Sequence, residues 1–370
     1  MQLRAVLFAD LPGWRDDTHP DAWPAFMASC TALLARTATA PTWRNVCTTA
    51  ATLDRRNADS VRSYFEIYFS AYQVIDLDRP ADGGANNLGL ITGYYEPLLH
   101  GARTRDERFR YPLYAPPDDL LTIDLAELYP ELKDKRLRGR VDGKRVVPYW
   151  PRAEIDAGLA PVSGKELVYV DDATEAFFLQ IQGSGRVLLP DGSIVRAGYA
   201  DQNGQPYRSI GKLLVERGQM TLDKASMQGI KQWGREHPDL LPALLAENPS
   251  YIFFREVKPD PGATIDGPIG ALGVPLAAGR AIAVDPRYIP LGAPVFVATT
   301  WPLSTRPLQR LMLAQDTGGA IRGPVRADWF WGFGEDAARE AGRMKQDGKL
   351  WLLWPKGERL PANAQLPATP

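Results

Sequence analysis

The sequence predicts a mainly β fold with flanking helices, arranged in two domains. The chain has 370 residues, and at roughly 100–200 residues per domain this length favours two domains. Glycine and proline occur 33 and 32 times, so turns are frequent and a β-rich fold is favoured over a helical bundle. Strand candidates also fall into two blocks, separated by a helical stretch.

The N-terminal part is predicted to be helical. Apolar residues recur near helical spacing within residues 20–75, and Ser60–Tyr72 forms a second aromatic-rich segment. Leu88–Tyr95 then has the composition of a strand. Residues 106–165 are mixed and rich in loops, with prolines at several positions.

The rest of the chain alternates between strands and helices. Four strands are predicted at Leu167–Tyr169, Ala176–Ile181, Arg186–Leu189 and Ser193–Tyr199. Pro190-Asp191-Gly192 has the chemistry of a hairpin turn between the last two. Helices are predicted at Ile210–Arg217, Asp223–Glu236, Leu240–Glu247 and Glu335–Gln346, the last ended by Gly348. The closing strands are predicted at Tyr251–Arg255, Arg280–Val284, Pro294–Thr299, Leu311–Gln315 and Leu350–Trp354.

Charge and hydropathy exclude several classes of function. The net charge is −1, from 43 basic and 44 acidic residues, so neither nucleic-acid binding nor an acidic disordered tail is indicated. No apolar run reaches the roughly 20 residues that cross a bilayer. The stretch from Met1 to Trp14 carries Asp10 inside its apolar run and is a poor match to a signal peptide. The sequence leaves open a cytoplasmic protein or an exported one.

The two cysteines, Cys30 and Cys47, lie in the predicted N-terminal helical part. Their spacing of 17 residues permits a disulfide, and two buried thiols are the alternative. A disulfide is favoured if the protein is exported.

Nucleophile and cofactor chemistry have little support in the sequence. The three histidines, at positions 19, 100 and 237, lie far apart, which argues against a histidine metal site and a Ser-His-Asp triad. No nucleophile elbow, phosphate loop or dinucleotide motif is present. Ser184, within Gln182-Gly183-Ser184-Gly185, is predicted on a tight turn, as a structural serine that can still hydrogen-bond a substrate.

Carboxylates remain as candidate catalytic groups, and two of them, Asp316 and Asp328, stand out by their surroundings. Asp316 ends an apolar strand, and Asp328 is followed by Trp329-Phe330-Trp331. An apolar setting disfavours the charged form and raises a carboxyl pKa, as a general acid near neutral pH requires. A turn or N-cap aspartate followed by core aromatics is the alternative, and the local sequence leaves both open.

Asp316-Thr317-Gly318 also matches the triplet of aspartic proteases. That chemistry needs two carboxylates that share a proton, and therefore two triplets or a dimer of short chains. A second triplet is absent, and 370 residues is too long for half a protease. A protease is therefore disfavoured.

Seven ordered motifs resemble the membrane-bound lytic murein transglycosylase A family, with its C-terminal segment named for three aspartates. They are Thr92–Pro97 (TGYYEP), Tyr111–Tyr114 (YPLY), Phe178–Gly185 (FLQIQGSG), Tyr207–Lys212 (YRSIGK), Asn248–Tyr251 (NPSY), Ala283–Gly292 (AVDPRYIPLG) and the stretch from Asp316 to Gly332. The resemblance covers the chain from about Leu88 to Lys356.

The resemblance implies a double-psi β-barrel built from residues 1–105 and 248–370. A smaller, β-barrel-like domain of residues 106–247 would be inserted, with a groove between the two domains. The family's three aspartates map by motif onto Asp285, Asp316 and Asp328. Asp328 would be the acid/base, and neither a metal nor an organic cofactor would be needed.

The resemblance also implies residues that bind the glycan. They are Tyr94, Tyr95 and Glu96 from the barrel, Gln182, Gly183, Ser184 and Gly185 from the insert, and Asp285. Alternation along a strand allows only one of Tyr94 and Tyr95 to face the sugar. Turn capping is the alternative role for Asp285, and Asp316 either supports Asp328 or touches substrate and shares its proton.

The implied substrate is the glycan strand of peptidoglycan. The implied location is the periplasm or the periplasmic side of the outer membrane. Murein synthases or scaffold proteins are candidate partners, nucleic acid is not, and a monomer is expected. Two rival functions stay open, a peptidoglycan glycoside hydrolase and a non-catalytic, expansin-like wall-binding protein.

Overall fold

The chain divides into two compact units in its computed structural model. The structure describes residues 1–53, 57–81, 84–132, 137–258, 262, 264–362 and 364. One unit is Met1–Glu96 with Pro261–Pro370, and the other is Pro97–Asp260. The resemblance predicts these breaks at 105/106 and 247/248. The strands Leu98–Ala102 and Ile252–Glu256 pair with strands of the second unit, which is why they belong to it.

The described strands, numbered in chain order, are β1 Gln2–Val6, β2 Phe69–Ala81, β3 Gly84–Asn86, β4 Gly89–Glu96, β5 Leu98–Ala102, β6 Tyr111–Tyr114, β7 Leu121–Thr122, β8 Arg138–Asp142, β9 Arg145–Pro148, β10 Glu166–Val170, β11 Ser184–Leu188, β12 Ile194–Gln202, β13 Ile252–Glu256, β14 Ala281–Val284, β15 Pro294–Thr300, β16 Pro307–Asp316, β17 Arg326–Phe333 and β18 Lys345–Pro355. The described α-helices are α1 Trp23–Leu34, α2 Ala40–Ala50, α3 Ala58–Tyr68, α4 Arg152–Asp156, α5 Ala173–Gln182, α6 Ile210–Glu216, α7 Met227–Glu236, α8 Leu241–Ala246 and α9 Gly334–Arg343. The mainly β fold with flanking helices is confirmed.

Six strands of the first unit form a closed ring. The ring runs β18–β15–β16–β14–β17–β4 and returns to β18. The pairs β14–β16 and β17–β4 are parallel, and the other four pairs are antiparallel. Strands β2 and β1 continue outward from β18. Closure leaves the six strands of the ring without a free edge and is consistent with the predicted barrel.

The core of this unit lies between the barrel and the first three helices. Aromatic side chains from α1, α2 and α3, among them Phe26, Trp43 and Phe65, are buried with aliphatic side chains of β15, β16 and β18. Cys30 in α1 and Cys47 in α2 are both buried and form a disulfide. The disulfide is therefore present, and the alternative of two free thiols does not apply.

Removing this disulfide is expected to lower the free energy of unfolding by about 3 kcal/mol. The bond closes a loop of 17 residues, and without it the unfolded chain gains the corresponding entropy. Urea unfolding of a Cys30→Ser/Cys47→Ser variant measures the loss. Dithiothreitol should destabilise the wild type but not this variant. Equal urea midpoints for the oxidised wild type and the variant would contradict the prediction.

The second unit contains two sheets. One has six strands in the order β13–β12–β11–β5–β10–β6, and its end strands β13 and β6 also contact each other, which gives it a barrel-like arrangement. The other sheet is β7–β8–β9. The strand predicted at Ala176–Ile181 is wrong, because this segment lies in helix α5. The Asp172 side chain caps the helix by accepting from Thr174 N and Glu175 N, and Gly183, with a φ of 81°, ends it.

Candidate active site

Four neighbouring strands of the barrel bring Asp316 and Asp328 into one row. Asp316 on β16 pairs with Ala283 on β14, and Ala283 pairs with Asp328 on β17. Asp328 pairs in turn with Thr92 on β4. Residues directly opposite on adjacent strands point to the same face, so both carboxylates and the Thr92 hydroxyl share a face. The small side chain of Ala283 separates the two aspartates.

The opposite face of these strands packs into the main core. Ile91, Ile282 and Trp329 come from the same strands and are buried there. On the polar face, the ring of Tyr94 packs against Phe330 with centroids 5.2 Å apart. Asp316, which accepts a hydrogen bond from Tyr94, is therefore next to this ring pair, and Asp328 keeps part of its surface open to solvent.

Asp328 is held by a chain of two hydrogen bonds. The Thr92 hydroxyl donates to Asp328 Oδ1 over 2.5 Å, and Arg326 Nη2 donates to Thr92 Oγ1 over 2.8 Å. Burial raises the pKa of Asp328, and the negative charge of Asp316 raises it further. The Thr92 hydrogen bond and the Arg326 charge oppose that rise, and the net direction is upward. A carboxyl group with a raised pKa and an open surface is suited to general acid catalysis.

Asp316 has a different environment. Tyr94 Oη donates to its Oδ2 over 3.0 Å, and the backbone N–H of Ala271 donates to its Oδ1 over 2.9 Å. Burial raises the pKa of Asp316, against hydrogen bonds from the Ala271 and Thr317 backbone and from Tyr94. Burial also raises the pKa of Tyr94 well above its usual value, as do the charges of Asp316 and Asp328. Tyr94 therefore remains a phenol and a hydrogen-bond donor at neutral pH.

Asp285 is fully buried and forms several hydrogen bonds with its surroundings. Arg287 donates Nε to Oδ1 over 2.9 Å and Nη2 to Oδ2 over 2.6 Å. The Gly323 backbone N–H donates to Oδ2 over 2.9 Å. Burial by itself would raise the pKa of Asp285, but the hydrogen bonds from Arg287 and Gly323 hold it below its usual value. These contacts connect the end of β14 to the loop between Asp316 and Asp328, which favours the loop-capping role over glycan contact.

The remaining predicted residues of β4 differ in exposure. Tyr94 is half-buried, whereas Tyr95 and Glu96 are buried at 9% and 2% exposure. The contrast between Tyr94 and Tyr95 agrees with alternation along the strand. Glycan contact by Tyr95 and Glu96 stays a prediction.

The four predicted residues of the second unit lie where a helix meets a strand. Gln182 ends α5, Gly183 follows in the left-handed conformation, and Ser184 begins β11. Gly185 is buried, and a Cβ there would lie 2.3 Å from Leu179 Cδ1. Packing inside the unit therefore requires this glycine. Glycan binding by the four residues stays a prediction.

Sequence reasoning missed Thr92 and Arg326. Thr92 and Tyr94 are two residues apart in β4, and Arg326 and Asp328 are two apart in β17, so each pair shares a face of its strand. This periodicity could have identified both residues.

In the part of the chain that the structure describes, no group of three or more His, Cys, Asp or Glu side chains is placed to hold a metal ion. Within the same residues, no helix combines the length and apolar character needed to cross a membrane.

Two family models match the chain. The MltA specific insert domain matches residues 90–255, and the 3D domain matches residues 280–354. The chain is also 34% identical over 280 residues to the "Membrane-bound lytic murein transglycosylase A" of Escherichia coli (strain K12), which covers 73% of this chain and 67% of that protein. The chain belongs to the membrane-bound lytic murein transglycosylase A family.

Solved structures agree with this membership. MltA from Neisseria gonorrhoeae superimposes with a TM-score of 0.82 at 38% identity, covering 96% of this chain and 93% of that chain. E. coli MltA with bound chitohexaose gives a TM-score of 0.69 at 26% identity, covering 96% and 95%. The chain is thus a lytic murein transglycosylase, an enzyme that acts on peptidoglycan. This excludes the aspartic protease and the non-catalytic wall-binding protein.

Proposed function

We propose that the enzyme cleaves the β-1,4 bond between N-acetylmuramic acid and N-acetylglucosamine and leaves a 1,6-anhydromuramic end. Asp328 is the single acid/base of this reaction. The observation that carries the proposal is the environment of Asp328, a half-buried carboxyl group whose pKa is raised by burial and by Asp316. Such a group holds a proton before the reaction and accepts one during it.

In the first step, protonated Asp328 donates its proton to the glycosidic oxygen as the bond from that oxygen to C1 breaks. Positive charge develops at C1 of the muramic residue, and the N-acetyl carbonyl of the substrate supports it. In the second step, ionised Asp328 takes the proton of the muramic C6 hydroxyl. The C6 oxygen attacks C1 and closes the anhydro ring, so Asp328 ends protonated and no water is consumed.

Asp316 acts on this reaction through its charge. Burial raises the pKa of Asp316, and hydrogen bonds from Tyr94, Ala271 N and Thr317 N oppose that rise, so Asp316 ionises before Asp328 in this proposal. An ionised Asp316 raises the pKa of Asp328 and keeps that group protonated for the first step. This is the supporting role among the two that the sequence left open.

Asp316→Asn is expected to move the alkaline limb of the pH profile of kcat/KM to lower pH by about one unit. The free enzyme needs protonated Asp328, so activity falls as the pH rises through the pKa of that group. The substitution removes a negative charge and lowers that pKa. Initial rates on soluble peptidoglycan fragments, measured from about pH 4 to about pH 9, give the shift. An alkaline limb that stays in place or moves to higher pH would rule out the electrostatic role of Asp316. Asp336→Asn, at an exposed position, is the matched control.

Glycan binding involves surfaces beyond the catalytic row. The related E. coli structure contains bound chitohexaose, which supports a glycan ligand for this chain. We assign Tyr94 on the barrel and Gln182 and Ser184 in the second unit as candidate contacts. The relatives are named membrane-bound, which supports an association with a membrane. We propose the periplasm or the periplasmic side of the outer membrane as the location, with murein synthases or scaffold proteins as candidate partners.

Mass spectrometry of digested peptidoglycan tests the reaction. Purified murein treated with the enzyme should release fragments with 1,6-anhydromuramic ends, each one water lighter than the hydrolysed form. A reducing muramic end as the main product would instead indicate a glycoside hydrolase and would refute the ring closure by Asp328.

A further inference from the structure

We propose that Arg326 is a positioning residue that acts through the Thr92 hydroxyl and determines which oxygen of Asp328 carries the acid proton. This inference rests on the proposed role of Asp328 as the acid/base. It concerns two residues, one on β17 and one on β4, that form a single hydrogen-bonded chain with Asp328.

The donors and acceptors of these two hydrogen bonds follow from the chemistry of the three side chains. A guanidinium group has donors but no acceptor, so Thr92 Oγ1 must accept from Arg326 Nη2. The single hydrogen of the Thr92 hydroxyl is then available for Asp328, and the positive charge next to the oxygen makes the hydroxyl a stronger donor. Asp328 Oδ1 therefore acts as an acceptor, and the acid proton is assigned to Oδ2.

The guanidinium is held in place by backbone atoms. Arg326 Nη1 donates to Leu90 O over 3.3 Å and to Ala327 O over 2.5 Å. These carbonyls belong to β4 and β17, the same two strands that carry Thr92 and Asp328. The hydrogen bonds from Arg326 to Thr92 and from Thr92 to Asp328 are thus determined by the pairing of the two strands and are formed before any substrate binds.

These hydrogen bonds also control how readily Asp328 releases its proton. Within the part of the chain that the structure describes, three charged or titratable groups interact electrostatically with Asp328: Arg326 from its own strand, Asp316 from β16 and Tyr94 from β4. Burial and Asp316 favour the protonated form, whereas Thr92 and Arg326 favour the ionised form. The Arg326–Thr92 pair thereby stabilises the carboxylate that exists between the two proton transfers.

Four variants test the inference through the pH profile of kcat/KM on soluble peptidoglycan fragments. Thr92→Val and Arg326→Met should each move the alkaline limb to higher pH by about one unit and lower kcat, because the ionised form loses support. Thr92→Ser keeps the hydroxyl and should keep the wild-type limb. Arg326→Lys keeps the charge without the fork of donors and should shift the limb less than Arg326→Met. The matched control is Arg343→Met, an exposed arginine of α9.

A double variant separates action through Thr92 from direct action of the charge. In a Thr92→Val background, Arg326→Met should shift the limb by less than half of its effect in the wild type. Equal shifts in both backgrounds would overturn the inference, as would activity lost uniformly with an unmoved limb. If a methionine variant does not fold, the lysine and serine variants are compared by ¹³C NMR titration of the Asp328 carboxyl. An active Asp328→Asn would instead refute the proposed function, and this outcome is distinct from the others.

Discussion

Asp328→Asn is expected to lower kcat/KM on peptidoglycan by at least the ~10²–10⁴-fold typical of losing a general acid/base. The amide has nearly the size of the carboxyl group and can still accept from the Thr92 hydroxyl. It can neither donate a proton to the glycosidic oxygen nor take one from the C6 hydroxyl. In the proposed mechanism one residue serves both steps, so no other group on the row replaces it. Release of anhydro-ended fragments from purified murein measures the loss.

The control for this variant is Asp336→Asn, an exposed aspartate in the first turn of α9. Both variants should have the circular dichroism spectrum of the wild type, and only Asp328→Asn should lose activity. A folded Asp328→Asn protein that solubilises murein at the wild-type rate would remove Asp328 from the reaction. Asp316→Asn should retain far more activity than Asp328→Asn at the pH optimum, since it changes a pKa and not the proton donor.

The aromatic context of Asp328 indicated a raised pKa from the sequence, but it obscured the strand that carries the residue. Trp329 is buried in the main core, whereas Phe330 packs against Tyr94 on the other face. Apolar residues on both faces remove the alternation by which a strand is recognised. The sequence therefore also allows Asp328 to be a turn or N-cap residue, and it does not identify the partner of Asp328 on β4.

The different roles of the three aspartates could not be predicted from local sequence. Asp316 is hydrogen-bonded by Tyr94, 222 positions away, and Asp285 by Gly323, 38 positions away. These partners are brought together only by the strand order of the barrel, in which β14 lies between β16 and β17. Sequence motifs identify the three residues, and the register of the strands gives them the different surroundings from which we propose their roles.

A buried ion pair, which no sequence pattern predicts, attaches the N-terminal segment to the barrel. Arg280, next to β14, contacts Asp17 through two bonds of 2.9 Å each. Both side chains are almost fully buried, at 4% and 2% exposure. Asp17 Oδ2 also accepts from Leu311 N of β16 over 2.7 Å. Arg280 Nη2 further donates to Thr18 O over 2.8 Å.

Arg280→Met is expected to lower the free energy of unfolding by about 3–5 kcal/mol, because it leaves the buried Asp17 carboxylate without its counter-charge. Urea unfolding of the whole protein, monitored by tryptophan fluorescence, measures the loss. Arg339→Met, on the exposed face of α9, is the matched control and should change stability by less than about 0.5 kcal/mol.

A second variant distinguishes loss of the pair from loss of packing. Asp17→Asn in the Arg280→Met background removes the unpaired buried charge and should recover part of the stability. A defect caused only by lost packing would not be relieved. An Arg280→Met protein as stable as the wild type would show that the ion pair contributes nothing to stability.

The folded variant also tests whether the ion pair supports the catalytic row, because β14 carries Ala283, which lies between the two aspartates of the active site. A kcat/KM close to the wild-type value below the unfolding transition is expected, because no atom of Arg280 is hydrogen-bonded to Asp316 or Asp328 in the described residues.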